Sequence, residues 1–186
     1  MGKSIWTPER ALSSSPEFPC PKEILDAQVL LEIKHLSFDN TVKLGHIVVN
    51  KIVAKDVSCF FEEALRLKFP IDNITPAAAY NFDDEALMAG NVSSGFNYRL
   101  IAGTDKVSKH GLGLAFDINP RQNPYIRYPK DGEPIVEPHG VVWDPHLPGT
   151  LSENHPLVVL MKQKGWEWGG DWLPESGRTD YQHFQK

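Results

Sequence analysis

Cysteine is scarce: Cys20 and Cys59 are the only two in 186 residues. They are too few and too widely separated for a thiolate-bound zinc, and two free thiols are expected rather than a bridge. Positive charge is also short. Lysine and arginine number 19 against 24 aspartates and glutamates, a net charge of −5, and no basic cluster occurs anywhere. No nucleic-acid partner is therefore expected, since phosphates call for a cationic face. No apolar run approaches the ~20 residues that span a bilayer, so no integral membrane segment is expected either. The opening MGKSIWTPERALSSSPEFPCP lacks the apolar core of a secretory signal peptide, and the sequence gives no route of export. Internal repeats and low-complexity tracts are absent too.

What is present is a globular composition. Hydrophobic residues make up 41% of the chain, with five tryptophans and nine phenylalanines, enough to build a core without disulfide staples. The length fits one domain. Residues 1–21, rich in serine and proline, read as an extended N-terminal arm, which leaves residues 22–186 as the domain. VLLEIKHLSF (29–38) and KLGHIVVN (43–50) read as strands around a turn at Asp39-Asn40. In VAKDVSCFFEEALRLKFP (53–70), Val53, Val57, Phe60, Ala64 and Leu67 recur at helical spacing, and Pro70 stops the pattern. DDEALMAG (83–90) and HPLVVLMKQKG (155–165) carry helix start and stop signals. LGLAFDI (112–118) reads as a buried strand. Residues 119–150, with seven prolines, are expected to form a long irregular excursion of the kind that often carries function. Helices and strands are interspersed without a βαβ rhythm, which predicts an α+β fold with an antiparallel sheet.

One stretch conflicts with its surroundings. SKHGLGLAFDINP (108–120) places His110 and Asp117 at the ends of a small, apolar run, where ionisable groups are costly unless something satisfies them. Of seven histidines, His110 and His183 stand apart by context, the latter three residues after Asp180. Hydrolytic zinc sites take three protein ligands from His, Asp and Glu and leave a fourth position for water. His110, Asp117 and His183 make such a set. A carboxylate outside the ligands then moves the proton, and Asp180 is the candidate. In an uninterrupted strand Asp180 and His183 would face opposite ways, so Asp180 has to lie in a turn ahead of the strand. The spacing leaves a second reading open, a buried His–Asp hydrogen bond with the other histidines scattered over the surface. Gly111 and Gly113 either free the backbone beside a ligand or simply make a tight turn into the strand.

SKHGLGLAFD (108–117) fits S-x-H-x-x-G-x-A-x-D, and WEWGGDW (166–172) followed by DYQHF (180–184) fits W-G-G-D-W … D-x-x-H-F. With SGFNYR (94–99) upstream and Asn123-Pro124 between them, these pieces resemble, in order, the zinc D-alanyl-D-alanine peptidase family. That family includes D,D-carboxypeptidases, D,D-dipeptidases and L-alanyl-D-glutamate endopeptidases. The resemblance covers roughly residues 28–185. It implies a central antiparallel sheet with flanking helices, a zinc fold shared with the Hedgehog signalling domain. It further implies Zn2+ held by His110, Asp117 and His183, with Asp180 as general base and acid. Arg99 would lie beside the site, against the substrate or the developing oxyanion, and Ser108 would bond the substrate backbone. Trp168, Asp171 and Trp172 either line the cleft or belong to the core and a turn.

The function so implied is a zinc metallopeptidase that hydrolyses peptidoglycan stem peptides, as a D-alanyl-D-alanine carboxypeptidase or an L-alanyl-D-glutamate endopeptidase. The alternative is a zinc-containing module that binds peptide or cell wall without catalysis. The expected partners are stem peptides, and the expected state is a monomer. Action on the cell wall implies the periplasm, the exterior, or delivery in the manner of a phage lysin. Residues 121–150 are longer and richer in proline than the compact dipeptidases suggest. They are expected to shape substrate choice, with His139 and His146 exposed on the loop.

Overall fold

The computed structural model describes residues 6–101, 103–172 and 176–186. In chain order the elements are α1 (Pro8–Ala11), α2 (Lys22–Asp26), β1 (Gln28–Leu36), β2 (Val42–Asn50), α3 (Ala54–Arg66), β3 (Asn73–Ile74), α4 (Asp84–Ala89) and β4 (Val92–Ser93). They continue with β5 (Ala115–Asp117), β6 (Tyr125–Arg127), β7 (Ile135–Glu137), α5 (Pro156–Gln163), β8 (Glu167–Trp168), β9 (Arg178–Asp180) and β10 (His183–Gln185). Short 3-10 turns lie at Ala77–Tyr80, His110–Leu112 and Gly169–Asp171.

The α+β class holds, but among the described residues the strands form four small sheets in place of the single central sheet expected. Their strand orders are β1-β2, β5-β10-β8, β3-β4 and β7-β6-β9, all antiparallel except the β3-β4 pair. The reason lies in strand length. Apart from β1 and β2, every strand has two or three residues, because glycines, prolines and turns interrupt the chain before a longer ladder can form.

The β1–β2 hairpin turns where expected, with Asn40 at φ 60, and it separates two apolar layers. Ile47 and Val49 point into the main core, whereas Val48 points the other way, as strand alternation requires. That second layer is covered by the N-terminal segment. The expected arm is not extended throughout: Pro8–Ala11 is a helical turn, and Ala11 packs with Val48 and Phe96. Residues 1–5 of the arm lie outside the described residues.

α3 forms as its periodicity predicts. Val57, Phe60, Phe61 and Ala64 make one buried stripe, and α3 packs against β1 and α5. Phe60 meets Phe116 of β5 and Phe184 of β10 at ring-centroid distances of 5.1 and 5.5 Å. Each such phenylalanine contributes about 1.5–3 kcal/mol of burial. These two core residues set which way their strands face.

The 119–150 excursion is more ordered than expected. β6 and β7 form a hairpin, and β6 also pairs with β9. Asn123, fully buried, closes the base of the excursion. Its Nδ2 donates to Ile118 O and Gly149 O, and its Oδ1 accepts from Leu151 N. Trp143 stacks on Tyr181 at 4.3 Å, which ties the far part of the excursion to the turn between β9 and β10.

Candidate metal centre and cleft

β5 and β10 run antiparallel with His183 directly opposite Asp117 and Phe184 opposite Phe116. Alternation along each strand sends the two phenylalanines into the core and the imidazole and carboxylate to the other face, side by side. His110 arrives from a different element. The expected strand over 112–118 is shortened to Ala115–Asp117, and His110 opens a 3-10 turn ending at Gly113, whose φ is 68. A Cβ at Gly113 would collide with Gln28 Oε1 and lie 2.7 Å from Asn50 N, so both the left-handed backbone and the close approach call for glycine. Ser108 caps the turn, its Oγ accepting from Gly111 N at 2.9 Å.

Three ligand atoms converge. His110 Nε2 lies 3.1 Å from His183 Nδ1 and 3.2 Å from Asp117 Oδ2, and His183 Nδ1 lies 2.9 Å from Asp117 Oδ1. The other ring nitrogens are engaged by oxygens: His110 Nδ1 with Gly95 O at 2.7 Å, and His183 Nε2 with Gln185 Oε1 at 3.2 Å. A carbonyl oxygen only accepts, so each of these nitrogens carries the proton in the neutral ring. Two imidazole lone pairs and a carboxylate are thereby aimed at one point. Three mutually repelling acceptors at such range fit a cation. Ligands ~2.0–2.1 Å from a tetrahedral zinc stand ~3.3 Å apart, close to the spacing observed. Among the described residues no other group of three His, Cys, Asp or Glu side chains gathers in this way.

The electrostatics agree. Burial alone would raise the Asp117 carboxyl, but the imidazoles, His110 foremost, outweigh it and hold the group well below the usual carboxylate range. Burial disfavours charge on His183, yet the hydrogen bond and charge of Asp117 raise its pKa on balance. Asp180 behaves oppositely. Burial lifts it to about 6, with His183 pulling down and Asp117 adding to the rise.

The placement of Asp180 answers the parity problem. It is the last residue of β9, Tyr181 and Gln182 form a turn, and His183 begins β10. The two side chains therefore reach one cavity of about 630 Å³, which His110, Asp117, Asp180, His183, Arg99 and Ser108 all line. Asp180 keeps some exposure toward this cavity, while its Oδ1 is buried without a hydrogen-bond partner. Arg99 is ion-paired with Asp84 of α4, which also lines the cavity, so its guanidinium is anchored in the cavity wall. Ser108 uses one lone pair of its oxygen as a cap, which leaves its hydroxyl proton to offer.

Trp172 also lines the cavity, its ring 5.5 Å from that of His183. Trp168 does not: it is buried in the core, its Nε1 donating to Tyr181 O at 2.9 Å. Asp171 pairs with Lys162. His139 and His146 are exposed and lie outside the cavity lining. Three contributors went unread in the sequence. Gln185 carried a readable signal, since two residues after His183 on a strand means the same face. Gln182, buried with its Oε1 unpartnered, sits in a turn and has no period to betray it. Gly95 acts through its carbonyl, for which a sequence holds no sign.

Residues 102–186 match a family model described as D-alanyl-D-alanine carboxypeptidase. No curated protein and no solved structure gave a match. The matched segment includes His110, Asp117, Asp180 and His183, while SGFNYR with Arg99 falls ahead of it. Over residues 102–186 this chain is therefore similar to the D-alanyl-D-alanine carboxypeptidase family of peptidases.

Proposed function

We propose that this protein is a zinc-dependent metallopeptidase that hydrolyses peptidoglycan stem peptides at the cell wall, on a fold related to the Hedgehog-type zinc domain. The observation that carries the reading is the unpartnered Oδ1 of Asp180, which shares a cavity with the His110, Asp117 and His183 cluster. A purely structural carboxylate would be expected to have its hydrogen bonds filled by protein.

His110, Asp117 and His183 would hold zinc, which when bound would supply Lewis acidity to activate water and polarise the scissile carbonyl. Asp180, once ionised, accepts a proton from water at its carboxylate and then delivers it to the departing amine nitrogen. Arg99, held by Asp84, lines the same cavity and would turn its remaining N–H donors toward the carbonyl oxygen, where charge develops. Trp172 walls the cleft beside His183 and limits access of bulk water. Ser108 directs its hydroxyl proton at the substrate backbone.

The test is digestion of purified peptidoglycan by the zinc-loaded protein, with the masses of released fragments measured. Loss of a terminal D-alanine marks a carboxypeptidase, and a cut between L-alanine and D-glutamate marks an endopeptidase. Asp180→Ala should keep the metal and lose turnover. Cleavage by that variant at the parental rate would overturn the role of Asp180. A parent that holds zinc and releases nothing from any wall peptide would be a binding module instead.

A further inference from the structure

The β6–β9 ladder sets Tyr125 opposite Asp180 and Arg127 opposite Arg178. With a strand period of two, all four side chains stand on one face, and all four line the ~630 Å³ cavity. Like charges directly opposite on neighbouring strands destabilise a sheet, so the Arg127–Arg178 pair is a cost that the fold alone does not explain. Glu137 of β7 offsets only one of the two, bonding Arg127 at 2.9 Å. Elsewhere around the cavity the cations are engaged: Arg99 with Asp84, and Lys109 Nζ with Lys186 O. Among the described residues Arg178 pairs with no carboxylate. Its guanidinium lies over the ring of Trp172, 4.8 Å from the centroid, and Trp172 is itself beside His183.

A guanidinium resting over an aromatic ring is ordered in advance and keeps N–H donors for a bidentate partner. It stands two residues from Asp180, ~6.8 Å along a strand, which matches one to two residues of an extended peptide. We propose that Arg178, assisted by Arg127 across the ladder, is a specificity subsite that takes a free carboxylate of the substrate one to two residues from the bond cut. The identity of that substrate as a stem peptide rests on the function proposed above, whereas the anion site itself does not.

The experiment measures binding calorimetrically and turnover on the same zinc-loaded samples. The probe is the synthetic peptide L-Ala-γ-D-Glu-L-Lys-D-Ala-D-Ala in four forms: both carboxylates free, the D-glutamyl α-carboxylate amidated, the C-terminus amidated, and both amidated. A charge-assisted pair predicts about 10–100-fold tighter binding of the free acid than of the doubly amidated form. Arg178→Gln should reduce that preference to about 2-fold or less, through KM rather than kcat where turnover is seen, and Arg178→Lys should restore part of it. The singly amidated form that loses affinity identifies the carboxylate, C-terminal for a carboxypeptidase and D-glutamyl for an endopeptidase. Equal binding of all four forms, no binding of any, or a preference that survives in both Arg178→Gln and Arg127→Gln would overturn the proposal. A preference that depends on Arg178 without cleavage would sink the peptidase reading and leave the anion site standing.

Discussion

The Nε2 of His110 lies 3.1 Å from the Nδ1 of His183, and each ring already directs its other nitrogen to an oxygen of the protein. Neither neutral ring has a proton left for the other, so the pair is stable together only around a cation or an added proton. Zinc at about 100 times its Kd should therefore stabilise the protein by about 2.7 kcal/mol, raising Tm by ~5–10 °C for a domain of this size. His110→Ala and His183→Ala should show no such rise in a thermal melt. A zinc shift that persists at full size in both variants would mean that the ion sits elsewhere.

Gln185 fixes His183 from behind, and its Nε2 is in turn anchored by Glu167 Oε2 at 2.6 Å. Gln185→Leu removes the acceptor that keeps the proton on His183 Nε2. Zinc affinity, read by competition with a chelator, should fall about 10–100-fold, while the melting temperature without metal changes little. Unchanged affinity would show that the ring needs no such support.

Asp180 must be ionised to accept a proton. Burial lifts its carboxyl to about 6, and a divalent cation beside it would draw that value down. The kcat/KM profile should thus fall on the acid side, with its midpoint at or below about 6, and be level above it. The sign follows from the role: protonation at low pH removes the base. A profile that instead rises toward acid would assign the catalytic proton to another group.

Gly113→Ala puts a Cβ into Gln28 and Asn50 at a residue whose φ is 68. Gln28 and Asn50 both bond the carbonyl of Leu112, so the clash falls on the turn that carries His110. A loss of about 1–3 kcal/mol is expected from the backbone alone, with more from the clash. Weaker zinc binding should accompany it, because the turn sets the direction of the His110 ring. Parental zinc affinity in a destabilised variant would separate the turn from the site.

Much of the local structure was legible in the chain. α3 follows from Val57, Phe60, Phe61 and Ala64 at helical spacing, because amphipathic periodicity is a local property that tertiary packing then uses unchanged. The hairpin of β1 and β2 and the start of α5 at Pro156 were readable for the same reason. The four polar residues that the motifs singled out do gather around one cavity, but Asp180, expected in the turn, instead ends β9, and the turn falls at Tyr181 and Gln182. The excursion was misread because proline and glycine signal breaks locally, while the pairing of β6 with β9 is decided by residues more than fifty positions away.

The sequence by itself singled out His110, Asp117 and His183 as candidate ligands and determined the acidic charge and the helical stripe, since these depend on residue type and short-range spacing. Only the tertiary structure decided which nitrogen of each histidine faces the centre, that Gly95 and Gln185 hold those rings, and that Arg127 and Arg178 stand side by side. Each of these depends on a hydrogen bond or a strand register joining separate segments, and for β5 and β10 that register is set over the packing of Phe60, Phe116 and Phe184. A single core face fixes which way β5 and β10 present their polar residues, and short-range sequence patterns do not carry that information.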